Sequence, residues 1–527
     1  MTPTLHSFTP WWSKTSQQKH DFSLVMFTLS AIFVLLCYAW MFLKSKNRSS
    51  SPLPPGPMGL PLVGNLLSLD PELHTYFTSL SQTYGPILKL QFGSKVGIIV
   101  SSPSLARQVL KDYDVTFANH DVPTTGRIMS YGGCDVLWTP YGSEWRMLRK
   151  VCVLKMLGKA TLDSVYILRR REVRKTVSYI YSKVGSPVNF REQIFLTVLN
   201  VITNMMCGGT VEGDDRASLG AELREVVSKM VEMVGKPNIS DFYPGLARFD
   251  LQGLAKQMEG LARKLDGIYE RMIGQRRKLE EMGCAEKSKD FLGFLLRLVD
   301  EQDDKMPFTM NHLKALLTDM AVAGNDTSSN TMEFAMAEIM NTPKVMNQIQ
   351  QELEAVVGKH NIVEELHIHK LPYLEAVVKE TLRLHPPAPL LIPRCPSETC
   401  TVGGYTIPKA SQVFINVWTI HRDPTKWENP LKFDPERFLN NNNIKWDYSG
   451  NDFSYLPFGS GRRICAGILM AEKMVMYSLA TLLHAFHWEV PSGEKLDLSD
   501  KFGMSLKKKI PLIAIPKPRL SHPALYS

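Results

Sequence analysis

From Phe22 to Leu43 the chain runs 22 residues without a charged side chain, the longest apolar stretch of its N-terminal region. Coiled as a helix this would extend roughly 33 Å, enough to cross the hydrocarbon of a bilayer. No small-x-small cleavage site follows, and Lys44, Lys46 and Arg48 come next, so the pattern predicts an uncleaved anchor with the remaining chain on the cytosolic side. Lys14 and Lys19 on the other flank reduce the charge contrast. The segment Ser51-Pro-Leu-Pro-Pro-Gly-Pro57 then predicts a semi-rigid extended spacer, because proline fixes φ. Apolar runs at Ile87 to Phe92 and Val96 to Val100 read as strands. From about Ser143 to Leu384 helical spacing dominates. One long helix is expected from Met310 to Met340, with Thr309 as N-cap and Pro343 just past its end, and another from Ile468 to Leu483. The expected fold is mainly α with a minor β-sheet region, preceded by a single N-terminal transmembrane helix. Its parts are a tail over 1–21, the anchor over 22–43, a basic and Pro-rich linker over 44–64, and one large catalytic domain over 65–527.

With 44% hydrophobic and 21% charged residues among 527, the composition is that of a globular protein, which excludes disorder, collagen and coiled coil. The formal charge of +9 is spread along the chain. Its longest basic run, Lys507 to Lys509, reads as a solvated face, and nothing in the pattern argues for nucleic acid. Eight cysteines (Cys37, Cys134, Cys152, Cys207, Cys284, Cys395, Cys400 and Cys465) contain no C-x-x-C pair, which disfavours a zinc site or a disulfide framework and suits a reducing compartment. A phosphate loop, an H-E-x-x-H helix and a G-x-S-x-G elbow are all missing from the sequence.

The chemistry concentrates in Phe458-Gly-Ser-Gly-Arg-Arg-Ile-Cys-Ala-Gly467, which precedes an apolar helical pattern. Glycines permit positive φ and close backbone approach, so the segment can fold tightly and present the Cys465 sulfur at its tip. A metal would hold that sulfur as thiolate, and amide N–H groups with the following helix N-terminus would offset part of its charge. The spacing F-x-x-G-x-R-x-C-x-G, on Phe458, Gly461, Arg463, Cys465 and Gly467, resembles the haem-binding signature of the cytochrome P450 monooxygenases.

Three further constellations extend the resemblance. Glu380-Thr-Leu-Arg383 sits in a helical pattern, with its carboxylate and guanidinium on one face, and Pro435-Glu-Arg-Phe438 follows. The resemblance implies a buried ion network of Glu380, Arg383 and Arg437. Ala323-Gly-Asn-Asp-Thr-Ser328 interrupts the long helix with residues of poor helix propensity, which by composition alone reads as a kink with Thr327 bonded back to its own helix. It resembles the family's oxygen-activation motif, which implies that Gly324 lets the helix open and that Asp326 and Thr327 relay protons. Trp145 and Arg149 share a helical face. By resemblance they, Arg394 and Arg463 hold the haem propionates, although Arg394 also reads as an ordinary surface arginine.

Taken together, the resemblance implies a haem b (iron protoporphyrin IX) enzyme with Cys465 as metal ligand, inserting one oxygen atom of O2 into a C–H bond. It implies electrons from NADPH through NADPH-cytochrome P450 reductase and an endoplasmic reticulum location. The Trp138-Thr-Pro-Tyr-Gly-Ser-Glu-Trp-Arg-Met-Leu-Arg-Lys150 segment and the Phe117-Ala-Asn-His-Asp-Val122 loop resemble plant microsomal members, among them cadinene hydroxylases. Pocket walls are expected from residues 119–128, from Asp319, Met320 and Ala323, from Ala388 to Ile392 and from Phe502 to Met504. Their apolar character points to a small hydrophobic metabolite, first a terpenoid, with a flavonoid, phenylpropanoid or fatty acid as alternative. A haem-thiolate isomerase or dehydratase that does not use O2, and a non-enzymatic haem-binding protein, are the competing readings.

Overall fold

A computed structural model describes residues 24–36, 38–39, 52–207, 213–282, 290–301, 307–439, 446–491 and 493–527. Strands β1 (Ile87–Phe92) and β2 (Lys95–Val100) form an antiparallel hairpin, as their apolar runs predict. Three shorter strands complete the sheet: β3 (Asn119–His120), β4 (Arg394–Cys395) and β5 (Gln412–Ile415), in the spatial order β1-β2-β5-β4-β3. The β2–β5 pair is parallel and the others are antiparallel. Two-residue strands are too short to leave an alternation in the sequence, and pairing alone defines them.

The helices that frame the site are α1 (Ser143–Lys150), α2 (Phe190–Cys207), α3 (Met310–Asn341), α4 (Pro372–Leu384) and α5 (Ile468–Ala485). The α3 helix begins where its sequence signals it. Thr309 Oγ1 accepts the His312 N–H at 3.3 Å, and His312 Nδ1 accepts the Thr309 N–H at 3.0 Å, a reciprocal cap. Its interior hydroxyls bond one turn back: Thr318 to the Lys314 carbonyl at 2.9 Å, Thr327 to Ala323 at 2.7 Å and Thr331 to Thr327 at 2.8 Å. These three hydroxyls are therefore satisfied within the helix, whereas the buried Asn325 amide is not, and the helix runs unbroken through Gly324. A Cβ on Gly324 would lie 3.1 Å from Ile202 Cδ1, so the glycine lets α2 pack closely on α3. Among the described residues, α5 is the one helix long and apolar enough to cross a membrane, and it is largely buried as a core helix.

Two expectations change. The spacer expected over Ser51–Pro57, and the rest of the linker to 64, lie along the sheet and the loops around it in their described part, residues 52–64. The Pro52 carbonyl accepts the Thr406 N–H at 3.0 Å, the Pro55 carbonyl accepts Lys89 N–H at 2.8 Å, and Gly64 bridges to Phe92. Proline does extend this backbone, but its free carbonyls then find strand partners. The basic run is not a uniformly solvated face. Lys507 and Lys509 are exposed, whereas Lys508 is 2% exposed and its ammonium donates to the Asp497 carbonyl, because Lys507–Lys508 is a short strand whose side chains alternate between faces. The anchor expected over 22–43 is described only in part, as an exposed apolar helix over Leu24–Leu36; its flanks lie outside the described residues.

Candidate active site

The cysteine loop is held in shape by its own backbone. Cys465 N–H donates to the Phe458 carbonyl at 3.0 Å, and Ile464 N–H donates to Gly461 at 3.0 Å. Gly461 has φ +72°, and a Cβ there would stand 2.2 Å from the Leu110 carbonyl oxygen, so only glycine fits. Cys465 Sγ accepts the Gly467 N–H at 3.3 Å, just ahead of α5. The cysteine has accessible surface although it is deep in the fold, because it lines an internal cavity. Burial pushes its thiol pKa up, while the Gly467 N–H and the Arg149 charge pull it down. An iron ion at the sulfur would hold it as thiolate.

Behind the loop stands the buried ion network. Arg383 binds Glu380 bidentately at 2.7 and 2.8 Å, and Arg437 Nε reaches Glu380 Oε1 at 3.1 Å. Neither Glu380 nor Arg383 is exposed to solvent. Arg383 Nη1 also donates to the His421 and Pro430 carbonyls at 2.8 and 2.7 Å. The chain of contacts continues through a residue that no sequence signal marks: His421 Nδ1 lies 3.2 Å from the Arg383 carbonyl, and His421 Nε2 accepts Leu456 N–H at 2.8 Å. The network is thereby tied to the segment that leads into the cysteine loop. An accepting Nε2 requires a neutral ring, and burial, with Arg383 and Arg422 adding to it, lowers the His421 pKa from 6.5 to about 3. Unfolded chains bind this proton below pH ~6.5 and the folded one only near 3, so folding stability falls as pH drops through that window and is fully retained above it. Thermal unfolding from pH 7 to 4 is expected to show a shallower decline for His421→Gln than for the unsubstituted protein; parallel curves would remove His421 from the acid response.

Three guanidiniums share the cavity wall: Arg149, Arg394 and Arg463. Arg394 is buried, not the surface arginine its sequence context allowed. Its Nη2 donates to Ser460 O at 3.3 Å. Arg463 donates to the backbone carbonyls of Ala118 (2.7 Å), Val136 (3.0 Å), Leu137 (3.2 Å) and Thr139 (2.6 Å). Burial lowers all three pKa values, Arg394 to about 10 and Arg463 to about 9, with Arg394 also repelling Arg463. Trp145 lies under the Arg463 guanidinium, 4.5 Å from its carbon to the ring centroid, and donates its indole N–H to the Val136 carbonyl at 3.0 Å. It therefore braces the 136–139 loop and Arg463 and is not among the cavity-lining side chains. His120, also on the wall, carries no functional signal in the sequence. Its Nδ1 is 2.9 Å from the Pro393 carbonyl, and burial, with Arg394 and Arg463 nearby, holds it well below its usual pKa.

The cavity also takes in Ala323, Gly324, Asp326 and Thr327 of α3. Burial raises the Asp326 pKa, opposed by a hydrogen bond from the Ser505 hydroxyl and by the charges of Lys507 and Arg191. Ser505 in turn accepts from Asn330 Nδ2 at 2.9 Å. This serine lies far from α3 in sequence and carried no signal. Of the expected pocket segments, Asp319, Met320, Ala388, Leu391, Ile392 and Met504 line the cavity, and from 119–128 only His120 does.

A cysteine sulfur on the floor of a glycine-shaped loop, with one buried and two half-buried guanidiniums around one apolar cavity, is a donor set suited to iron protoporphyrin, whose two carboxylates need such partners. The geometry is that of a haem-thiolate protein, and the chain belongs to the family described as Cytochrome P450, whose sequence model matches residues 54–515. Among its relatives is a flavonoid 3'-monooxygenase of Petunia hybrida, 39% identical over 94% of this chain and 98% of that one. A carnosic acid synthase of Salvia pomifera is 38% identical over 93% and 99% of the two chains. A zebra fish cytochrome P450 solved with progesterone superposes with a TM-score of 0.72 at 24% identity, over 85% of this chain and all of that one, and so shares the fold. The protein is a cytochrome P450 monooxygenase with haem b as cofactor.

Proposed function

We propose that this monooxygenase hydroxylates a C–H bond of a flavonoid-like phenolic substrate, taking electrons from NADPH-cytochrome P450 reductase at the endoplasmic reticulum membrane. The observation that carries the reading is the single cavity shared by Cys465, the three guanidiniums and the Gly324–Thr327 turn of α3. When bound, haem supplies the activation of O2. The chain's own residues then have separable tasks. Cys465 would hold the haem iron through its thiolate, with Phe458, Gly461 and Gly467 shaping the loop around it. Arg149, Arg394 and Arg463 would bind the propionates, with Trp145 bracing Arg463. Asp326, oriented by Ser505, and Thr327, whose hydroxyl rests on the Ala323 carbonyl, hold and pass protons into the cavity, while Gly324 keeps the wall thin. Apolar walls exclude water and leave regiochemistry to shape.

The flavonoid assignment draws on relatives named flavonoid 3'-monooxygenases. A terpenoid substrate is the second reading, favoured by the apolar wall and by the carnosic acid synthases among the relatives. Single-pass anchoring draws on the exposed Leu24–Leu36 helix and on exposed apolar side chains in two segments. Met58, Leu60 and Leu62 are exposed in one and Leu246, Phe249 and Leu251 in the other, and Tyr243 donates to the Leu62 carbonyl at 3.0 Å. Microsomes co-expressing a plant reductase and supplied with flavanones, flavones and terpenes under ¹⁸O₂ test the reading: a labelled hydroxyl on a flavonoid is expected, and labelled terpenes alone would transfer the assignment. With the accepted substrate, Thr327→Ala is expected to raise hydrogen peroxide released per NADPH several-fold. Unchanged coupling would remove Thr327 from proton delivery.

A further inference from the structure

Met504 and Ser505 reach the cavity from the tip of a hairpin whose ladder is only two residue pairs long, Asp500 with Lys508 and Lys501 with Lys507. Two strands paired over so short a length are not stable alone, so the place of Ser505 is set by whatever grips the tip. On one side the Leu506 N–H donates to the Pro387 carbonyl at 2.8 Å. Asn330 Nδ2 donates to the Ser505 hydroxyl at 2.9 Å, and the hydroxyl hydrogen is thereby left for Asp326 Oδ2. On the other side the grip comes from the start of the helix Leu73–Tyr84, far away along the chain. Glu72 Oε2 accepts the Phe502 N–H at 2.6 Å. The His74 ring is stacked on Phe502, centroids 5.7 Å apart and planes at 23°, with Trp418 edge-on at 4.5 Å. His74 Nε2 stands 3.2 Å from Asp500 Oδ1. This helix end is itself anchored, because Asn416, the residue after β5, donates to the His74 carbonyl at 3.2 Å.

His74 has no solvent exposure, and neither of its ring nitrogens makes a directed hydrogen bond. Between two aromatic rings a phenylalanine would fill the same slot without burying polar nitrogens. What the imidazole adds over a phenyl ring is the contact with Asp500, the residue that opens the hairpin. We infer that Glu72 and His74 are positioning residues for the oxidation: together they clamp the Asp500–Phe502 segment and so fix the Ser505 hydroxyl that orients the Asp326 carboxyl toward the cavity. Neither residue lines the cavity or belongs to a motif; each acts through the hairpin tip. The inference rests on Asp326 delivering protons and extends that reading to the side chains that hold its partner in place. Loss of the clamp would let the tip shift, and a shift of about 1 Å in a group that positions a reacting centre is enough to slow it severely.

The test uses the full-chain holoenzyme with reductase in excess and naringenin as a flavanone probe, and reads NADPH consumption in H2O and in D2O. His74→Phe is expected to keep its thermal midpoint and haem content, yet to consume NADPH roughly 10-fold more slowly and with a larger solvent isotope effect, because proton delivery has become slower. Glu72→Ala is expected to do the same, and it serves alone should the phenylalanine variant fail to fold. Glu72→Gln, whose amide oxygen still accepts the Phe502 N–H, is expected to restore most of the rate. A rate within about 2-fold of the unsubstituted enzyme and an unchanged isotope effect in both clamp variants, whatever their stability, would reduce the two residues to packing and overturn the inference. The route through Ser505 is read in a double-mutant cycle: added to Ser505→Ala, His74→Phe is expected to slow the enzyme no further, and full additivity overturns the inference. Asp326→Asn separates the two failures. If it leaves rate and isotope effect unchanged, the relay reading falls and takes the clamp with it; if it alters them while the clamp variants do not, the clamp alone falls. NADPH consumption is read whether or not naringenin is hydroxylated, so absence of that product counts against the flavonoid reading only.

Discussion

Replacing Cys465 by serine is expected to lower hydroxylation by more than about 100-fold, since loss of a residue that merely supports a metal ligand commonly costs 10- to 100-fold. The effect is electronic as well as geometric. Serine preserves the loop, because the backbone bonds from Cys465 N–H to Phe458 and from Ile464 N–H to Gly461 do not involve the side chain. What would be lost is the soft, electron-donating sulfur that would ligate the haem iron. Product formation by the serine variant, measured with reductase and substrate in excess, checks this; retention of more than a tenth of the activity would separate Cys465 from the chemistry.

The second large effect is on stability. Glu380→Ala leaves Arg383 charged in a site with no solvent access and removes the carboxylate that also receives Arg437 and the Asp434 N–H at 2.8 Å. Breaking a buried pair from one side costs ~3–5 kcal/mol, a large share of the 5–15 kcal/mol that typically separates folded from unfolded domains. The variant is expected to accumulate poorly, to unfold at lower denaturant and to carry less haem, because Arg383 and His421 lead to Leu456 and the cysteine loop. Denaturant unfolding read by tryptophan fluorescence checks the loss. A change under 1 kcal/mol would mean that solvent or another group takes over the role of Glu380.

What was legible in the sequence follows a physical pattern. The cysteine loop could be read because its function needs glycine, arginine and cysteine at fixed local offsets, and α3 because its cap, its apolar length and the proline beyond it are local signals. His421 and Ser505 could not be read, since each acts through a partner distant along the chain. Trp145 was legible as a neighbour of Arg149 on one face of α1, but the Val136 carbonyl that takes its indole N–H comes from a loop whose path the sequence does not encode locally. Lys508 shows the reverse error: a run of like charges suggests solvent, yet strand alternation turns the middle residue inward. Prolines at 52, 54, 55 and 57 predicted extended backbone correctly but said nothing of the carbonyl partners it meets on Lys89 and Thr406.

On the proposed function, Cys465 would ligate the haem iron as its thiolate. The most direct test is the difference spectrum of the reduced carbon monoxide complex, recorded on the unsubstituted protein and on Cys465→Ser at equal haem content. The red-shifted Soret band of a thiolate-bound haem is expected in the first and not in the second; a red-shifted band of equal intensity in both would show that Cys465 is not the ligand.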